Sequence, residues 1–263
     1  LKTHINSYEH LGRITELLHF SHKLIEKDTM NIQEYFSRLN KESQAIFEES
    51  ISAKEQLGKA HHLASCIYEF SEHIPDPFER QMFVTVSTQL ESATLNLTLG
   101  MYRQAFASLR LALEMGLGAI HFSVHKVELH EWLDGRSDIK WSSLVDEENG
   151  VLSKRFSKAF FKELSEEICN YRESSISTYR KLSEFVHGNN ETWAKSGLKI
   201  SYNQDLFDVY FNHLSKVSEI IIFIATCRYV KLFDDASLES LQFIPEELSH
   251  ISFVREIFGG AKA

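Results

Sequence analysis

Proline occurs only three times in this chain, and two of the three, Pro75 and Pro77, flank a single aspartate. From Phe78 to Ile244 there is none. Glycine is nearly as sparse: 11 Gly and 3 Pro in 263 residues make about 5 %, against an average near 12 %. Interior proline costs a helix about 3 kcal/mol and glycine about 1 kcal/mol, so long helices face few interruptions here. Turn-dense β folds and glycine-rich phosphate loops lack the residues they need. With 43 % hydrophobic and 12 % aromatic residues, the chain can bury a real core, which excludes disorder. The expected class is all-α.

Helical periodicity supports this reading. Ile5, Tyr8, Leu11, Leu17, Leu18, Leu24 and Ile25 form a stripe over residues 1–28. A second stripe runs from Ile32 to Phe70, as one helix or as two divided near Gly58, until Pro75 and Pro77 stop it. Residues 1–75 are read as an N-terminal helical arm or hairpin. The main body, 76–236, holds expected helices over 79–99, 102–123, 154–169, 171–187 and 205–233. An irregular insertion at 130–153 carries Trp132, Gly135, Trp141 and Gly150, and a loop over 190–203 could hold a short strand at Leu198 to Tyr202. A tail, 237–263, holds a helix starting at Pro245, a residue suited to a first turn, and ending at Gly259.

The net charge is −9, which speaks against a general nucleic-acid coat or a membrane-surface binder. Its distribution is uneven. Residues 151–200 carry nine Lys and Arg against six Glu, a local +3, so the remaining chain carries −12. The longest apolar run, Ile220 to Ala225, is far short of the ~20 residues that span a bilayer. Cys66, Cys169 and Cys227 match no zinc or redox spacing. With no signal-peptide pattern, a reducing cytoplasm is the expected compartment and no membrane the expected partner.

The chemistry concentrates in Tyr179-Arg180-Lys181-Leu182-Ser183-Glu184-Phe185-Val186-His187-Gly188. Arg180 and His187 are seven positions apart, about two turns and roughly 10 Å along a helix, hence on one face. Leu182, Phe185 and Val186 lie largely off that face. His187 stands at the expected C-terminus of the helix, before Gly188, where the macrodipole favours imidazolium. A fixed cation beside a titratable imidazole suits phosphodiester chemistry: the arginine holds the phosphate, the histidine moves a proton.

This segment resembles the Arg–x(4–6)–His motif of the HEPN superfamily, with six intervening residues. The stretch Leu109-Arg110-Leu111-Ala112-Leu113-Glu114 looks like the LR-x-x-x-E sequence that precedes the motif in several phage-defence members. The resemblance covers residues 79–233 and leaves the arm and the tail unexplained. It implies an antiparallel helical bundle built on 79–99, 102–123, 171–187 and 205–233. It also implies a metal-independent endoribonuclease of the toxin or abortive-infection kind, dimeric, with two motifs facing each other in one composite site. Attack by the ribose 2′-hydroxyl would give a 2′,3′-cyclic phosphate and a 5′-hydroxyl. Arg180 would bind the phosphate and His187 would be the acid/base, with Lys181, Glu114 and Arg110 in support. The expected partners are RNA, such as tRNA or mRNA, a second copy, and an antitoxin or other defence protein; no cofactor is expected. In active members the residue after the motif arginine is often Asn, Asp or His. Lys181 stands there, either as a phosphate contact or as the mark of a degenerate site. The alternative is a non-catalytic helical scaffold that binds a partner protein.

Other features compete. His121, His125 and Glu128, at i, i+4 and i+7, could present a metal on one helical face, but no His-Glu-x-x-His is present, and no metal site is expected. His19 with His22 reads as arm surface, and Arg110 with Glu114 is also readable as a plain i,i+4 ion pair. Trp132, Trp141 and Trp193 could stack bases.

Overall fold

The computed structural model describes residues 31–187 and 200–260. The expected helix over 1–28, His19, His22, Gly188, Trp193, Lys195 and Lys199 lie outside the described residues. Every regular element described is helical, so the protein is all-α. Residue contacts divide it into two units, 1–44 and 45–263. Helix α1, Ile32–Ser50, begins in the first unit. There Tyr35 and Phe36 meet edge to face, and Arg38 lies 5.7 Å over the Tyr35 ring.

In the second unit, α2 (Lys54–Glu72), α3 (Pro77–Thr98), α4 (Tyr102–Val124), α8 (Glu167–His187) and α9 (Gln204–Tyr229) form the bundle. Between α4 and α8 lie α5 (Lys126–Leu133), α6 (Trp141–Leu144), α7 (Lys154–Phe160) and a 3₁₀ turn, Lys162–Leu164. After α9 come a 3₁₀ turn at Val230–Leu232 and the short helices α10 (Asp235–Ser240), α11 (Phe243–Glu247) and α12 (Ser252–Ile257). The chain places α4 at the centre, packed on α3, α8 and α9. By length and apolar composition, α4 is also the one described helix that could cross a membrane; here most of it is buried inside the bundle.

Local chemistry explains the boundaries. Asp76 caps α3, its carboxylate accepting from the backbone of Phe78 and Glu79, with Pro77 in the first turn. Gly100 ends the same helix at φ +74°, a left-handed conformation open to glycine. On α4, Gly116 permits a close approach: a Cβ there would stand 2.8 Å from Cγ1 of Ile221 on α9.

The proline pair turns the chain without ending a domain. Residues 54–72 fall in the arm by sequence, yet α2 packs on α3 and α9. Its Leu63, Ile67 and Phe70 are buried in the common core, and Ser87 of α3 donates to the carbonyl of Ala64 at 2.8 Å. The break before α2 falls at Ile51–Ala53, whereas Gly58 is an ordinary interior position of that helix. The tail is likewise part of the core, through Leu241, Ile244, Leu248 and Val254. Its single expected helix from Pro245 is two short ones, with Pro245 inside α11.

Candidate functional site

The α8 helix delivers the motif. Leu182 and Phe185 are buried, and the Phe185 ring stacks on Phe106 of α4 with centroids 3.8 Å apart. That contact sets the rotation of α8 against α4. Tyr179 then turns towards α4, while Arg180, one residue on and about 100° round the helix, turns to solvent with its side chain 83 % exposed. His187 is the last residue of the helix and is exposed.

Arg110 of α4 joins these groups. One terminal nitrogen, Nη1, lies 3.1 Å from Nε2 of His187. The other, Nη2, donates to Glu114 Oε1 at 3.1 Å and to the Tyr179 hydroxyl at 2.5 Å. The guanidinium also sits 4.5 Å over the Tyr179 ring, a cation–π arrangement. A guanidinium has donors only, so Nε2 of His187 is the acceptor and the ring proton belongs on Nδ1. The far face of the tyrosine is closed by Trp141 of α6, stacked at 3.8 Å and 8°. Burial and the hydrogen bond to Glu114 push the Tyr179 hydroxyl above its usual pKa.

Of the five residues singled out by sequence, three meet: Arg110, Glu114 and His187. Arg180 and Lys181 gather instead on Glu184, Arg180 Nε at 4.0 Å and Lys181 Nζ at 3.3 Å. Other cations of the basic segment also have acidic or carbonyl partners. Lys154 meets Glu166 at 3.1 Å, and Arg172 donates to the carbonyl of Val145 at 2.8 Å, with Glu147 4.0 Å away. Two further residues complete the group that the motif does not name: Tyr179, which holds Arg110, and Trp141, which stacks on Tyr179. The available signal was an aromatic residue immediately before the motif arginine.

The histidine-rich end of α4 departs from the single helix assumed for it. The helix stops at Val124, His125 forms the break, and α5 begins at Lys126. The chain thereby folds Glu128 back onto His121, with Nε2 and Oε2 2.7 Å apart. His125 Nδ1 is 3.8 Å from Glu128 Oε1, and the two imidazoles stack with centroids 4.2 Å apart. Comparison with family models, curated proteins and solved structures finds no match for this chain.

Proposed function

We propose that this protein is an endoribonuclease, with Arg180 binding the scissile phosphate and His187 moving the proton. The observation that carries the reading is the 3.1 Å contact between Arg110 and His187, groups 77 residues apart in sequence. It ties the Arg110–Glu114 pair to the histidine that the resemblance to HEPN nucleases linked with it. An approaching phosphate competes for the Arg110 guanidinium and releases the lone pair of Nε2. Nε2 then takes the proton of the ribose 2′-hydroxyl, and the freed oxygen attacks phosphorus. The bond to the 5′ oxygen breaks and that oxygen takes a proton from the imidazolium of a His187, its own or that of the second copy, leaving a 2′,3′-cyclic phosphate and a 5′-hydroxyl. Arg180 balances the charge that develops on the phosphate oxygens. In a homodimer, a second copy would set its own Arg180 and His187 across the cleft. A role as toxin or effector in antiviral defence, held in check by a partner protein, belongs to the same reading.

A non-catalytic scaffold is the second reading, favoured by Glu184, whose carboxylate partly neutralises both Arg180 and Lys181. Cleavage of tRNA and mRNA by the wild type, Arg180→Ala and His187→Ala, in the presence of a chelator, decides between them. The nuclease reading expects cleavage by the wild type and its loss in both variants, with 2′,3′-cyclic phosphate ends. An inactive wild type, or two fully active variants, rejects it.

A further inference from the structure

The break between α4 and α5 assembles three groups that the RNA-cleavage reading does not use. We propose that His121, His125 and Glu128 bind one divalent transition-metal ion of the zinc class, with the adjacent cavity as the open side of its coordination sphere. The site stands apart from the Arg110–His187 contact: His121 lies eleven positions beyond Arg110 on the same helix, roughly 16 Å along its axis.

Geometry supports the ion. Zinc bonds of about 2.0–2.1 Å in a tetrahedron place donor atoms about 3.3 Å apart. The 2.7 Å and 3.8 Å separations bracket that value, and one ligand atom from each residue can be chosen so that all three lie within 4.8 Å of one another. Shifts of about an ångström at exposed side chains close the set. Two imidazoles and one carboxylate suit zinc and its transition-metal neighbours; magnesium and calcium prefer oxygen donors alone.

The environment points the same way. His121 is buried, 7 % exposed, and holds its Nε2 toward Glu128, so one ligand of the set is fixed by packing. His125 and Glu128 are about half exposed, which leaves an entry path. Next to them lies a cavity of about 350 Å³, lined by His121 and Glu128 and by Glu131, Asp138, Ser143 and Lys140. Three carboxylates against one ammonium make it attractive to a cation. Three protein ligands and an open side are the pattern of zinc sites that keep a position for water or a small anionic ligand.

The test is isothermal titration of ZnCl₂ into the chelator-treated, dialysed full chain, with thermal melts in parallel. The expected result is one ion per chain, micromolar or tighter affinity, and a melting temperature that rises with zinc. His125→Ala and Glu128→Gln should each weaken zinc binding by about tenfold or more, and the rise in melting temperature with zinc, read against each variant's own metal-free melt, should shrink with it. His130→Ala, an exposed histidine on α5 outside the cluster, should bind as the wild type does. Absence of saturable binding, or affinity unchanged in both cluster variants, overturns the proposal. RNA cleavage that persists in chelator leaves this site standing, and zinc binding by a protein that cleaves nothing does so too.

Discussion

Glu79 offers the sharpest test of how the bundle is held. It is a first-turn residue of α3 and its side chain is 7 % exposed. One carboxylate oxygen accepts from Tyr229 of α9 at 2.7 Å, the other from Lys126 of α5 at 2.6 Å. Glu79→Gln keeps the shape and leaves one acceptor for two donors, with an amide NH₂ turned against the second. A hydrogen bond to a charged group is worth about 1.5–3 kcal/mol. Lys126 is 49 % exposed and can return to water, so its loss falls near or below the low end of that range. The buried Tyr229 hydroxyl keeps the amide oxygen but exchanges a charged acceptor for a neutral one, which is the larger part of the cost. The expected loss is about 2 kcal/mol, or roughly 4–8 °C in melting temperature for a unit of this size. Urea denaturation of the wild type, Glu79→Gln, Tyr229→Phe and the double variant forms a cycle, and the coupling between the two positions should be about 1–2 kcal/mol. A Glu79→Gln protein within about 0.5 kcal/mol of the wild type, at unchanged m-value, refutes the argument.

Gly116→Ala pits two effects against each other: helix propensity gains about 1 kcal/mol, but the new Cβ meets fully buried Ile221 at 2.8 Å, and overpacking costs about 1–3 kcal/mol. Net destabilisation is expected in urea denaturation, and a stabilised variant contradicts the close approach. His213 is held down to about 4, first by burial and then by Lys216 and Lys181. Its folded value lies below the roughly 6.5 of an unfolded histidine, so it contributes stability above about pH 6.5 that is lost as pH falls towards the folded value. His213→Gln should flatten the fall in urea midpoint between pH 7 and about pH 4.5, and parallel losses in both proteins count against it.

The helices of the body are legible in the sequence because each of α3, α4, α8 and α9 carries an apolar stripe that the core then buries. The arm boundary is not. A proline pair looks the same whether it ends a domain or turns a hairpin, and tertiary contacts such as Phe70, stacked on Phe83 of the next helix and edge-on to Tyr229, tell them apart. The candidate site shows the same split. Arg110, Glu114 and His187 stand out as motif residues. That the guanidinium reaches Tyr179 and His187 together depends on the Phe106–Phe185 stack, a contact between helices that no local pattern reports. The helix break at His125 carries neither proline nor glycine. It is set by tertiary partners, Lys126 reaching Glu79 and Glu128 turning back to His121.

One helix therefore carries both the Arg110–Glu114 turn and the His121 turn, and its small residues explain how it is held. Between the Arg110–Glu114 turn and the His121 turn, α4 carries Gly116 and Gly118. These are two positions apart, about 200° round the helix, and so face opposite ways. Gly116 lets Ile221 of α9 press on one side; Gly118 lets Ile139, just before α6, press on the other, with a Cβ there only 2.8 Å from its Cδ1. The first contact fixes the height and rotation of α4 in the bundle. The second draws the 134–144 segment down, where it lines the cavity beside His121 and sends Trp141 onto Tyr179. The segment that looks irregular in sequence thus lines the cavity beside His121 at one side and packs on Tyr179, the partner of Arg110, at the other. Its lack of helical periodicity follows from that position, because its side chains answer to two surfaces and not to one stripe.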